Sequence, residues 1–534
     1  MRRLTARCAV REDTILLPGA DRAAASDPTG ASQPGDLTTE LIETDWWSDE
    51  AVARAGIPVV DVPFVSVGGG IGSFVTADYL RICGVPTSAI RVLTQLEHPW
   101  ESYEYLTRVS QIPRGERLRS DSASCPDNIW GFPSYAVREA IADRSLRPLL
   151  QVAVEPIFAD YYTPRAGHAF ASMEKEYHRI SYPDMVVKGQ VRMVRRRIGG
   201  GYFTILTPPE NTSRTRRIAY RSTYVHVAVG YPGLKFLPDL MEYRERHRDY
   251  GSVVNAYEPH EQIYGRLRAK PGVVLVRGGG IVASRVLQRL IDDRDAHGLQ
   301  TQIQHVFRTF VTGSHGPNIW MRRRGRDGWA YQGFNYPKSV WGGQLKSRVR
   351  KLEGKERADL YKIFGGTNTP VRRSWQEQLR RGRREGWYRA FQGEITAMEP
   401  HGSGQVRVEL KTENGPQQMT VLGVIDCTGL EADIAEHRVL ADLLDHGGAG
   451  RNPLDRLDVD RTFEVRGTRS DPGRCYASGT ATLGGYFPGV DTFLGLQIAA
   501  QEIADDLARD GFCKRLGPLR STRQWWRWAR GKHI

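Results

Sequence analysis

Val65-Ser66-Val67-Gly68-Gly69-Gly70-Ile71-Gly72-Ser73, followed by Phe74-Val75-Thr76-Ala77-Asp78-Tyr79-Leu80, decides the fold. A short run rich in β-branched residues meets three glycines, and a helix-forming stretch follows. This is the strand–turn–helix of a dinucleotide-binding unit. Gly68 permits the tight turn, Gly70 lets backbone approach a pyrophosphate, and the small Ser73 allows close helix–strand packing. The helix start offers free N–H groups and the positive end of its dipole to phosphates, with Gly69, Ile71 and Gly72 in the same loop. The next strand-like run, Ala89 to Glu97, ends in an acid that can accept both hydroxyls of an adenosine ribose. A lone G-x-G-x-x-G also occurs in ordinary Gly-rich turns. The flanking strand, helix and acid are what point to a nucleotide.

The unit recurs. Val273-Val274-Leu275-Val276-Arg277-Gly278-Gly279-Gly280-Ile281-Val282-Ala283-Ser284 repeats the pattern, and helix-like Val286 to Ile291 and strand-like Thr301 to Arg308 follow. Gly278, Gly280 and Ala283 take the places of Gly68, Gly70 and Ser73. Arg308 stands where Glu97 stands in the first unit, and a cation there favours a 2′-phosphate over a free hydroxyl. Arg285 and the run Arg322–Arg324 could assist, although a charge run is more often a solvated face.

Composition bounds the rest. A chain of 534 residues, 40% hydrophobic, can build two to four domains. No apolar run approaches the ~18 residues of a membrane span. The N-terminus is basic but lacks the apolar stretch of a secretory signal, and the six cysteines form no C-x-x-C pair. Isolated thiols in the cytoplasm are the expectation, with no integral membrane association and no metal site. The net charge of +14 suits anionic ligands and speaks poorly for nucleic acid, because no basic face carries interleaved aromatics. The tail around Trp525, Trp526 and Trp528 reads as a helix packing on its own protein rather than docking on a membrane or partner. A homo-oligomer is compatible with the sequence.

Each nucleotide unit is followed by alternating strands that end in small residues: Tyr224-Val225-His226-Val227-Ala228-Val229-Gly230 after the first, Val424-Ile425-Asp426-Cys427-Thr428-Gly429 after the second. Arg474-Cys475-Tyr476-Ala477-Ser478-Gly479-Thr480 then leads to a Gly-rich loop and an amphipathic helix from about Thr492 to Ala508.

This order resembles the two-dinucleotide-binding-domain flavoproteins, which include disulfide reductases and class B flavin monooxygenases. The resemblance spans about residues 60 to 512. It implies an α/β protein of two Rossmann-like three-layer nucleotide-binding domains with β-meanders, the NAD(P)H domain inserted in the FAD domain. The expected division is a disordered leader over 1–58 with a short helix between Thr38 and Trp47. The FAD-binding domain follows over 59–270, the NAD(P)H-binding domain over 271–435, the returning FAD segment over 436–515 and a basic Trp-rich tail over 516–534. FAD would lie on Gly68 to Ser73, Glu97, Gly479 and Thr480. NADPH would lie on Gly278, Gly280, Ala283, Arg285 and Arg308.

The missing redox cysteine pair speaks against a disulfide reductase. Leu96-Glu97-His98-Pro99-Trp100, Asn255 to His260, Phe334-Asn335-Tyr336-Pro337 and Thr367-Asn368-Thr369 resemble segments of the N-hydroxylating monooxygenases, which makes His260, Asn335 and Asn368 candidates beside the flavin. The resemblance implies NADPH reduction of FAD, a C4a-(hydro)peroxyflavin and oxygenation of a small molecule, N-hydroxylation of an amine among the choices. An aromatic cover including Trp329 and Tyr331 would exclude water. The chain departs from the pattern in two ways: the Phe-x-Gly…His fingerprint of flavin-containing monooxygenases is not cleanly present, and Thr480 stands where many of these flavoproteins have an Asp. A reductase or dehydrogenase that never oxygenates, and a non-catalytic flavoprotein serving as an interaction module, stay open at this point.

Overall fold

A computed structural model of the chain describes residues 35–118, 134–154, 162–209, 216–314, 325–331, 344–364, 369, 372–402, 404–430 and 433–534. Residues 65–80 fold as read. The strand Phe64–Val67 runs into the helix Ile71–Ile82 and occupies the middle of a five-stranded parallel sheet. The strand order is Arg474–Ala477, Tyr224–Val227, Phe64–Val67, Ile90–Thr94, Val186–Lys188. Strand side chains alternate between two buried faces. Phe64, Tyr224 and Tyr476 point to the helices Ile71–Ile82 and Phe493–Arg509. Val65, Val67, Val225 and Ala477 point the other way, toward the helix Arg438–Asp445. The sheet therefore lies between two apolar layers.

The second unit is a seven-stranded sheet in the order Val253–Asn255, Gly423–Asp426, Val273–Arg277, Gln302–Phe307, Tyr388–His401, Gln405–Thr412, Gly415–Val421. Its first five strands are parallel. Tyr388–His401 belongs to both parts: Tyr388 to Gln392 pair with Ile303 to Phe307, and Gly393 to His401 turn into the antiparallel meander. The edge strand Val253–Asn255 pairs with Val424 to Asp426. This sheet therefore draws in chain before residue 271, where the second unit was expected to begin. A three-residue strand, Val253-Val254-Asn255, carries no mark of which sheet it joins, and only the tertiary partner decides it.

Residues 35–58 correct the expectation of a disordered leader over 1–58; residues 1–34 lie outside the described residues. Helix Thr39–Glu43 is capped by the Thr38 hydroxyl, and Asp49–Arg54 by the Ser48 hydroxyl. Between them Trp46–Trp47 adds a parallel strand to the first meander. Trp47 is fully buried against Phe203 and Ile205, and its indole N–H donates to Leu41 O (2.9 Å). One aromatic anchor and a few spaced apolar residues suffice to fix a segment whose composition is otherwise polar. Behind it the guanidinium of Arg195, 1% exposed, pairs with Asp442 at 3.0 Å.

The tail forms the helix Pro518–Ala529, and Arg520 and Gln524 donate to Ile82 O at the end of Ile71–Ile82. The Cys513 thiol donates to Ala504 O (3.3 Å), and Lys514 N donates to Cys83 O (3.0 Å). The described cysteines Cys83, Cys427, Cys475 and Cys513 are all free thiols, as expected, although the C-terminal segment returns to the first helix and brings Cys513 beside Cys83. Among the described residues no helix is long and apolar enough to cross a membrane.

Candidate nucleotide sites and the cleft between them

Gly68 and Gly69 hold φ of +118° and +67°. A Cβ on Gly68 would stand 2.4 Å from Ala228 O, and one on Gly69 would stand 2.3 Å from Thr94 Cβ, so glycine is required at both positions. Gly70 differs. Its φ is −75°, it forms the N-cap of Ile71–Ile82 with no side-chain cap, and a Cβ there would meet only Pro99 O at 3.9 Å. The space beside Gly70 is thus open and no side chain caps the first turn, which suits a phosphate group. On the opposite side, Gly72 packs where a Cβ would touch Ala228 Cβ at 3.1 Å and Ser478 Oγ at 3.2 Å. Gly479, at φ +81°, and Thr480, 3% exposed, open a 3₁₀ turn at the end of the neighbouring strand. The first loop and Gly479 are brought together. Glu97 is not at the strand end. The strand stops at Thr94, whose hydroxyl donates to Gly68 O (3.0 Å) and accepts from Leu96 N (3.0 Å), turning the chain. Glu97, 75% exposed, pairs with Lys188 Nζ at 3.0 Å.

A buried polar chain that the sequence reading missed runs under this loop. Gly69 N–H donates to Ser73 Oγ (3.1 Å), which is 2.9 Å from Ser66 Oγ. Ser66 Oγ lies 3.0 Å from His226 Nδ1, and His226 Nε2 lies 2.9 Å from Ser478 Oγ. Burial pushes the His226 pKa down to about 3, so the ring is neutral at physiological pH. The available signal was a lone polar residue in the strand Tyr224-Val225-His226-Val227.

The second loop uses the same device differently. Gly278 has φ +124°, and its carbonyl accepts from His305 Nε2 (2.6 Å) on the next strand. A carbonyl can only accept, so Nε2 carries the proton and Nδ1 accepts from Tyr388 O–H (2.9 Å). Burial holds His305 at a pKa of about 3. Gly280 is the N-cap of Ile281–His297, again with no side-chain cap, and Ala283 is fully buried. Arg285 is buried and pairs with Glu116 at 2.6 Å across the units. Arg372, which no motif flagged, donates to Ser284 O and Oγ and to Gln288 Oε1. Burial first, then the adjacent Arg285, brings its pKa down to about 9. Arg308 is exposed one residue past its strand, where the sequence put it.

Between the helices Glu101–Val109 and Ile281–His297 lies a cleft of about 670 Å³, lined among others by Glu101, Tyr105, Arg108, Gln111, Arg285 and Arg289. It borders the second glycine loop through Arg285, and Glu101 follows the Pro99 that faces Gly70. His260 is corrected. It is buried at the N-cap of Glu261–Ala269, with Nδ1 2.7 Å from Glu258 O and Nε2 3.1 Å from Tyr264 O–H, so both nitrogens are spent on local structure. Trp329 and Tyr331 are corrected too. They are buried in the core of the second unit, Trp329 edge-on to Trp375 and Phe307, instead of forming a cover. Asn335, Asn368 and Arg322–Arg324 lie outside the described residues.

No family model and no curated protein matches the sequence. Solved structures match across most of the chain. Ornithine hydroxylase from Pseudomonas aeruginosa, 14% identical, covers 84% of this chain and 99% of its own, with a TM-score of 0.60. Ornithine N-hydroxylase from Kutzneria sp. 744, solved with reduced FAD, NADP+ and L-ornithine, is 13% identical. It covers 85% of this chain and 100% of its own, also at 0.60. Bacillithiol disulfide reductase from Bacillus cereus, 11% identical, covers 84% and 100% at a TM-score of 0.50. The fold is therefore the two-unit α/β fold that these proteins share, along the whole of their length.

Proposed function

We propose that the chain is an FAD-dependent, NADPH-consuming monooxygenase acting on a small amine or related nucleophile. The observation that carries this reading is the pair of glycine loops, each opening a helix that no side chain caps, in a two-unit fold shared with ornithine hydroxylases. FAD, when bound, supplies the redox chemistry. The protein's part is to hold it and to exclude water. The N–H groups at Gly70 to Gly72 would receive its pyrophosphate, and Gly479 and Thr480 would lie along the same cofactor. Gly278 to Ala283 would hold the pyrophosphate of NADPH, with Arg308 at the 2′-phosphate. The cleft between the units would admit the substrate, and the Arg285–Glu116 pair keeps the two units in register there.

A reductase is the second reading, favoured by the shared fold of a disulfide reductase. Against it, the one thiol pair among the described residues, Cys83 and Cys513, sits at the far end of Ile71–Ile82. That is a 12-residue helix, on the order of 18 Å, from the glycine loop. The test is the spectrum of the purified protein, then NADPH titration with oxygen electrode and peroxide assay. Flavin bands, NADPH-dependent oxygen uptake and an amine that lowers peroxide release per NADPH support the monooxygenase. Stoichiometric peroxide with every amine tried sinks it in favour of the reductase.

A further inference from the structure

Central strands of a parallel sheet read as near-continuous apolar runs, because both faces are buried. Three adjacent strands here break that rule on one face. Ser66 and His226 are register partners, and Ser478 follows the strand Arg474–Ala477 that pairs on the other side of His226. Ser66 is 1% exposed, His226 0%, Ser73 0% and Ser478 3%. Apolar residues would fill these places without any polar desolvation, as Val65 and Val225 do on the opposite face. Buried polar groups are kept only where they are paired, and here both ring nitrogens and all three hydroxyls are.

What the polar chain joins is specific. One end is Gly69 N–H, inside the loop of the first unit. The other is Ser478, next to Gly479 in the loop that arrives from the far end of the sequence. A neutral imidazole suits the middle: it donates at one nitrogen and accepts at the other, so a bond order set at one end is passed to the other.

We propose that His226 is a positioning residue that couples the two loops, so that they bind the flavin nucleotide as one site. This rests on the FAD reading above. The cofactor then meets two loops fixed relative to each other, though they are brought together only by folding.

The test is a double-mutant cycle on FAD affinity, measured by flavin fluorescence on the full chain. Ser73→Ala and Ser478→Ala should each weaken FAD about two- to tenfold, the size of one neutral hydrogen bond. Together they should do little more than the stronger one, because the first break already uncouples the loops. In a His226→Leu background, where the link is already broken, each serine substitution should lose most of its effect and what remains should multiply, while His226→Gln, which can still donate and accept, should keep the wild-type pattern. Ser66→Ala breaks the same link with the ring in place and replaces His226→Leu should that variant not fold. A wild-type chain that binds FAD but shows multiplying effects overturns the coupling alone. A wild-type chain that takes up no FAD overturns the cofactor reading and the coupling with it.

Discussion

Gly70→Ala should separate what the fold needs from what the cofactor needs. Gly70 has φ −75° and ψ −168°, which any residue adopts, and its added Cβ would meet nothing nearer than Pro99 O at 3.9 Å. An alanine in a tolerated conformation gains about 0.4–1 kcal/mol through the unfolded chain. Losing glycine from an N-cap costs a similar amount, roughly 0.5–1 kcal/mol. The apoprotein should therefore melt within about 2 °C of wild type. Bound FAD would feel the change fully, because the methyl group fills the space through which the pyrophosphate reaches the helix. Losing two charge-assisted N–H contacts of about 1.5–3 kcal/mol each raises the FAD Kd about 10²- to 10⁴-fold.

Gly68→Ala is the contrast. At φ +118° its Cβ lies 2.4 Å from Ala228 O and 2.8 Å from the carbonyl carbon, so two strands must part. A cost of roughly 1–3 kcal/mol should lower the apoprotein's melting temperature visibly. The assay is differential scanning of flavin-free protein, followed by FAD titration of each variant. If Gly70→Ala binds FAD within threefold of wild type, the loop is not the pyrophosphate site. If its apoprotein melts as low as Gly68→Ala, the spatial argument is wrong.

Arg308→Ala should raise the apparent KM for NADPH about tenfold or more and leave that for NADH unchanged, the loss of one charge-assisted contact; an unchanged NADPH/NADH ratio of KM values refutes the assignment. His305, with a folded pKa of about 3 against 6.5 for an ordinary imidazole, ties stability to pH. The unfolded chain gains a proton below pH 6.5 and the folded chain does not until about pH 3. The contribution is therefore complete above pH 6.5 and falls by about 1.4 kcal/mol per unit below it. Urea unfolding between pH 7 and 5 should lose this slope in His305→Gln, and equal slopes would show that the ring titrates in the fold. Asp442→Asn should cost about 3–5 kcal/mol by leaving the buried Arg195 guanidinium unpaired. Arg195→Met combined with Asp442→Leu should recover most of it in the same unfolding assay.

Both glycine loops were legible because they are local: strand, glycines and helix lie within a dozen residues, and chain direction fixes their geometry. Features set by distant partners were not. Val253–Asn255 could have paired in either sheet, and Trp47 gains its meaning only from Phe203 and Ile205. Glu97 missed the strand end by three residues because Thr94 makes a side-chain turn that no periodicity reports. His260 was a candidate beside the flavin by residue type but more readily a loop-capping group, and the backbone around Glu258 and the Tyr264 hydroxyl show that capping role. Ser66, His226 and Ser478 carried a weak sign each, and only the sheet order makes them a set.

The strand Arg474–Ala477 lies beside Tyr224–Val227 in the first sheet, whereas every strand of the second sheet falls between Val253 and Asp426. On the ribosome these two sheets mature in the reverse of their order in the sequence. The second can close as soon as its own stretch has emerged. The first has to wait for its outer strand, on the order of 12 to 50 s after Val227 at about 5–20 residues per second. Throughout that wait Tyr224–Val227 presents an unpaired edge, open to other nascent chains. If the first loop and Gly479 hold FAD as proposed, flavin cannot shorten the delay, because Gly479 is still unmade. Slow synthesis or a holding chaperone should therefore govern the yield of cofactor-loaded protein more than FAD supply does.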